Sequence, residues 1–66
     1  MSKKYYQLIA DELNAALEIS RGQGIEALNA TMRAIDGLAT VFKRDNARFD
    51  RQRFYNACGV KAGDGL

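Results

Sequence analysis

Residues 25 to 42 would place apolar side chains around so much of a helix that a 66-residue chain has too little else to cover them. At about 100° per residue, Ile25, Leu28, Met32, Ile35, Ala39 and Phe42 share one face. Ala27, Ala30, Ala34, Gly37 and Val41 share a second, with Thr31 and Leu38 bridging the two. Glu26, Asn29, Arg33, Asp36 and Thr40, continued by Lys43 and Arg44, make the continuous polar strip. A surface helix needs one apolar stripe, so two stripes imply two neighbours. One is expected to be the preceding helix and the other a second copy of the chain.

Size points the same way. A domain this short buries only about 60% of the surface its unfolded chain exposes, and disulfides, metals or oligomerisation usually make up the difference. The one cysteine, Cys58, excludes an internal disulfide, and the absence of histidine leaves no plausible zinc set. Oligomerisation remains. Apolar residues at 47% and charged residues at 27% describe a folded domain and not a disordered tail. The start Met1-Ser2-Lys3-Lys4 has no apolar export core, and no apolar run approaches the roughly 18 residues of a membrane span. The expected location is the cytoplasm, without membrane contact.

Ser2 is placed to cap a first helix reaching Ser20, whose main apolar face carries Tyr5, Ile9, Leu13, Ala16 and Ser20 with Tyr6 and Leu17. Leu8, Ala15 and Ile19 form a smaller ridge, read either as scattered surface hydrophobes or as a contact to another chain. Gly22-Gln23-Gly24 ends the helix, Gly22 being the expected left-handed cap, and so short a connection implies an antiparallel hairpin. Asp45 and Asn46 end the second helix, Asn46 as a left-handed terminal residue. Over residues 50 to 58, Asp50 is the N-cap of a short third helix. Phe49 and Phe54 have the spacing of a hydrophobic staple, and Gly59 supplies the stop with Val60 packing back on Tyr55. Residues 1 to 60 form the single domain and 61 to 66 a flexible tail.

Enzymatic chemistry has no evident seat. No catalytic set, cofactor loop or metal-ligand spacing is present, and adjacent Asp11 and Glu12 point to different helix faces. Gly22-Gln23-Gly24 follows a helix and not a strand, unlike a dinucleotide loop. Cys58 reads either as a thiol activated by nearby arginines or as a small buried hydrophobe.

Charge is uneven along the chain. Up to Phe42, four cations (Lys3, Lys4, Arg21, Arg33) meet five acids (Asp11, Glu12, Glu18, Glu26, Asp36). Between Lys43 and Arg53, five cations (Lys43, Arg44, Arg48, Arg51, Arg53) meet only Asp45 and Asp50. Such a segment suits phosphate contacts, or else a solvated and internally paired basic face. Lys3 and Lys4 oppose the helix dipole, which implies either a frayed first turn or an acidic partner.

The stretch Phe42-Lys43-Arg44-Asp45-Asn46-Ala47-Arg48-Phe49-Asp50-Arg51-Gln52-Arg53-Phe54-Tyr55-Asn56-Ala57-Cys58-Gly59 resembles the ending of a group of short bacterial and bacteriophage proteins, approximately F-x-x-D-N-P-R-F-D-x-x-R-F-x-x-A-C-G. The chain departs from that pattern at Ala47, where the group has proline. The resemblance implies a small phage-type protein that binds and modulates a host protein, such as a transcriptional regulator, a motility ATPase or a defence component.

These readings combine into an all-α expectation: a helical hairpin with a short C-terminal helix, dimerising through Ala27, Ala30, Ala34, Gly37 and Val41 into an assembly like a four-helix bundle. The expected role is non-enzymatic inhibition of a host protein through Leu8, Ile19, Arg48, Arg51 and Arg53. The alternative is a dimeric nucleic-acid-binding protein using Lys43, Arg44, Arg48, Arg51 and Arg53.

Overall fold

The computed structural model describes residues 2–61, and among these the fold is all-helical: α1 spans Lys3–Arg21, α2 Ile25–Asp45 and α3 Arg51–Cys58. Most of the tail expected over 61–66 therefore lies outside the described residues. Ser2 holds the N-cap position of α1 in extended conformation. Its carbonyl accepts from Tyr5 and Tyr6, but its hydroxyl makes no capping bond.

α1 and α2 form the expected antiparallel hairpin. The Ser20 and Thr31 hydroxyls hydrogen-bond to one another near the turn, while the Tyr6 and Phe42 rings meet at 4.9 Å at the other end. The turn differs in detail from expectation. Gly22 closes α1 with φ −84°, in the right-handed region. Gly22 and Gln23 N–H donate to the carbonyls of Ile19 and Ser20, so the last turn tightens through i→i+3 bonds and needs no left-handed residue. The positive φ falls on Gly24, at 102°, where the chain enters α2.

α2 runs to Asp45, a turn beyond Phe42. Asn46 is extended, with φ −143°, and not left-handed. The reason lies in its neighbours: Asn46 Oδ1 accepts from the Arg48 N–H at 3.0 Å, and Lys43 Nζ donates to the carbonyls of Ala47 and Phe49 at 2.7 and 3.1 Å. Side chains thereby satisfy the backbone of the loop.

α3 has both signalled ends. Asp50 Oδ1 accepts from the Arg53 N–H at 3.0 Å, and Gly59 takes φ 85°. Gly59 N–H donates to the Asn56 carbonyl and Val60 N–H to that of Tyr55, the paired bonds of a glycine-ended helix. Arg21 Nη2 donates to the Gly59 carbonyl at 3.1 Å, tying this end to α1.

Four rings hold the elements together: Tyr6 from α1, Phe42 from α2, Phe49 from the loop and Phe54 from α3, with centroids 4.9 to 5.5 Å apart in edge-to-face and tilted pairs. Such geometry adds to area burial about 0.5–1.5 kcal/mol per pair. Ala10, Leu17, Met32, Ile35, Ala39 and Cys58 complete the buried core.

The core face of α1 is turned from the expected one by roughly 50° on the helical spacing. Tyr5 and Ala16 are exposed and Ala10 is buried, because α3 docks on the side of α1 that carries Ala10, Asn14 and Leu17. Ile25 is exposed as well, at the open start of α2.

Gly59→Ala is expected to destabilise more than loss of the α3 N-cap. A Cβ at Gly59 would stand 2.6 Å from Asn14 Nδ2, on top of a left-handed penalty of about 1–2 kcal/mol. Asp50→Ala should cost about 1 kcal/mol. Thermal unfolding checks the order, since roughly 4–8 °C per kcal/mol is expected for a domain of this size.

Candidate functional site

Two surfaces stand out, on opposite sides of the molecule. The contacts around each hairpin helix locate them. On α1, Tyr6 and Ser20 meet α2, while Asn14 and Arg21 meet the end of α3. On α2, Thr31 and Phe42 meet α1, while Asp36 and Thr40 meet α3 through Arg51. The 100° spacing then puts Tyr5, Leu8, Glu12, Ala16 and Ile19 of α1 on the hairpin side facing away from α3. The same spacing puts Ala30, Ala34, Gly37 and Val41 of α2 on that side, with the half-buried Ala27 at their edge.

This face is uncovered. Leu8 is 48% exposed, Ile19 62% and Val41 56%, and a Cβ added at Gly37 would meet nothing within 4 Å. The α1 ridge and the α2 small-residue stripe, which are separate features in the sequence, are therefore two halves of one surface. Apolar side chains gather here on one side of a small domain, with Glu12 as the one charge in the α1 half, which makes this face a candidate contact surface.

The basic segment is divided by the fold. Lys43 is committed to the loop carbonyls. Arg51 donates through Nη2 to Asp36 Oδ1 and Thr40 Oγ1, each at 3.1 Å, and to the Tyr55 hydroxyl at 3.2 Å. Tyr55 in turn donates to Asp36 Oδ1 at 2.7 Å. Arg51 is thus a clamp between α2 and α3, and it stands apart from Leu8 and Ile19, contrary to the expectation that the three share a partner-binding surface. Arg44 is exposed one turn beyond Thr40, on the same polar strip of α2.

Arg48 and Arg53 instead join Lys3 around a half-open cleft of about 220 Å³, whose walls include Tyr6, Phe49, Phe54 and Ala57. Among the described residues no hydrogen bond or ion pair engages the charged groups of these three cations. Asp50, the acid at the cleft, spends one oxygen on the α3 cap. The wall also holds the buried Tyr6 hydroxyl, which has no hydrogen-bond partner among the described residues. Phe49 and Phe54 are almost wholly buried, so they offer an apolar floor and not open ring faces for base stacking. Lys3 belongs to this site, although its place in the sequence marks it only as a charge that opposes the helix dipole.

Cys58 lies fully buried at the end of α3. Burial pushes its thiol from 9.0 up to about 11, the opposite of an activated nucleophile. Tyr55 is also raised, first by burial and then by its bond to Asp36. No described helix is long and apolar enough to cross a membrane, and no described cluster of three or more Cys, Asp or Glu side chains could hold a metal ion. Comparison of the chain with protein-family models, with curated proteins and with solved structures gave no match.

The raised Cys58 and Tyr55 values set an alkaline limit on stability. Between pH 9 and about 11 the unfolded chain loses the Cys58 proton while the folded chain keeps it, so folding stability present below pH 9 is lost as pH rises through that window. Tyr55 acts in the same direction above its ordinary value of 10.0. Urea melts at pH 8 and pH 11 should differ by about 2–3 kcal/mol from the thiol, and Cys58→Ala should flatten the slope between them. In the native protein at pH 8, thiol reagents should label Cys58 only after denaturant is added.

Proposed function

We propose that this protein is a non-enzymatic, homodimeric binding protein of phage type, acting in the cytoplasm of a host cell by attaching to and inhibiting a host protein. The observation that carries the reading is the pairing of an uncovered apolar hairpin face with a basic cleft on the opposite side. The face gives a second copy somewhere to bind, and the cleft stays open when that copy is bound. On this reading Leu8 and Ile19 belong with Ala27, Ala30, Ala34, Gly37 and Val41 in the dimer contact. Lys3, Arg48 and Arg53 then meet the target.

A rim of cations around an apolar floor suits a protein segment carrying carboxylates beside an apolar anchor. Arginine holds carboxylates bidentately, and such contacts are strongest where water is partly excluded. The cleft amounts to roughly seven waters' worth of space at about 30 Å³ each, which suits one or two side chains. Nucleic acid is the weaker reading: with Lys43 and Arg51 committed internally, only Arg44, Arg48 and Arg53 remain from that set.

Ala34→Trp should move the protein toward monomer in sedimentation while circular dichroism keeps its helix signal. Overpacking of about 1–3 kcal/mol raises the dissociation constant roughly 5- to 150-fold. Arg48→Glu with Arg53→Glu should leave the dimer intact and abolish capture of a protein from nuclease-treated host lysate. Capture that instead requires intact nucleic acid, and falls steeply with salt, would replace this reading with the nucleic-acid one.

A further inference from the structure

We infer that the second copy seats crosswise, its α1 over α2 and its α2 over α1, about a twofold axis parallel to the helices. This arrangement rests on the homodimer reading above and assigns its register. Ser20 beside Thr31 and Tyr6 beside Phe42 set the heights along the hairpin. By linear interpolation between those pairs, Glu12 stands level with Gly37 and Ala16 with Ala34, while Leu8 falls just short of Val41 and Ile19 lies between Ala30 and Ala34. Rotation about an axis parallel to the helices preserves height. Each of those α1 residues therefore lies over the same height of α2 in the partner.

Shape and charge both select this pairing. The α1 half of the face carries most of the bulk, in Tyr5, Leu8 and Ile19, and the α2 half is a shallow trough of Ala30, Ala34 and Gly37 closed at one end by Val41. Bulk over trough interdigitates as packed helices do at 8–10 Å separation. A twofold axis running across the helices would instead set α1 on α1, with bulk against bulk and Glu12 turned toward a second Glu12. In the crosswise dimer Glu12 descends over Gly37, and Arg33 lies one turn away on the α2 edge, exposed and able to reach it. Two such pairs form per dimer, one at each side of the seam.

Cysteine cross-linking reads the register directly. Cys58 can stay in place because it is buried. A chain carrying both Ala16→Cys and Ala34→Cys, treated with oxidised glutathione in the native state and alkylated before denaturation, should run as a covalent dimer. Each single variant should run as a monomer, because only the crosswise seam brings positions 16 and 34 of different copies within disulfide reach. In parallel, Glu12→Arg and Arg33→Glu should each weaken the dimer severalfold in sedimentation, and the two together in one chain should restore it. Single-cysteine chains that cross-link to themselves, or a dimer in which the double-cysteine chain does not cross-link, would overturn the register while leaving the dimer reading standing. A wild-type protein that sediments as a monomer at high micromolar concentration would overturn both.

Discussion

Four aromatic rings form a contact to which each helix and the α2–α3 loop contributes. Tyr6, Phe42, Phe49 and Phe54 come from α1, α2, the loop and α3, and no two of them are close in sequence except the pair around the α3 cap. An eight-residue helix has no stability of its own in water. It persists here because its first turn carries Phe54 into that cluster, while Arg51 and Tyr55 fasten its flank to Asp36. The glycine-ended terminus closes against Asn14 and Arg21 of α1. The third helix is thereby held at its start, its flank and its end.

Holding α3 so firmly on one side decides what happens on the other. Residues 2–61 supply one short helix beyond the two-helix hairpin, and the ring cluster directs it to the face carrying Ala10, Leu17 and Asn14. Nothing else in residues 2–61 is long enough to cross to the opposite face. The exposure of Leu8, Ile19 and Val41 follows from where the aromatic residues sit, and not from any looseness in the hairpin.

Local signals in the sequence were legible wherever the physics was local. Asp50, Phe49, Phe54 and Gly59 announce α3 because a cap and a staple depend on spacing along the chain, and the structure places them as that spacing requires. The long helices and their hairpin were legible from periodicity and the glycine-rich turn. The rotation of α1 was not, because it depends on where α3 docks, a contact between residues some forty positions apart. Tyr5 and Ala10 exchange roles for that reason alone. Asn46 shows a second limit: its left-handed tendency was outweighed by a lysine three residues upstream and by its own side chain. Among the arginines, sequence shows a run of cations but not their angular division. Arg51 and Arg53 are two residues apart and so point about 200° apart on a helix, one inward to Asp36 and one to the cleft.

That division bears on the proposed action of this protein on a larger target. A cleft with three cations and room for one or two side chains gives modest affinity by itself, because exposed ion pairs contribute little and are screened by salt. In the proposed dimer the two clefts lie on the outer sides, each behind its own α3, separated by about two molecular thicknesses. A target that is itself a symmetric oligomer, or that displays two acidic segments, would then engage both clefts, and the second contact would form at the effective concentration set by the first. Dimerisation would serve two ends with one surface: it covers the apolar side that residues 2–61 leave exposed, and it converts two weak sites into one strong one.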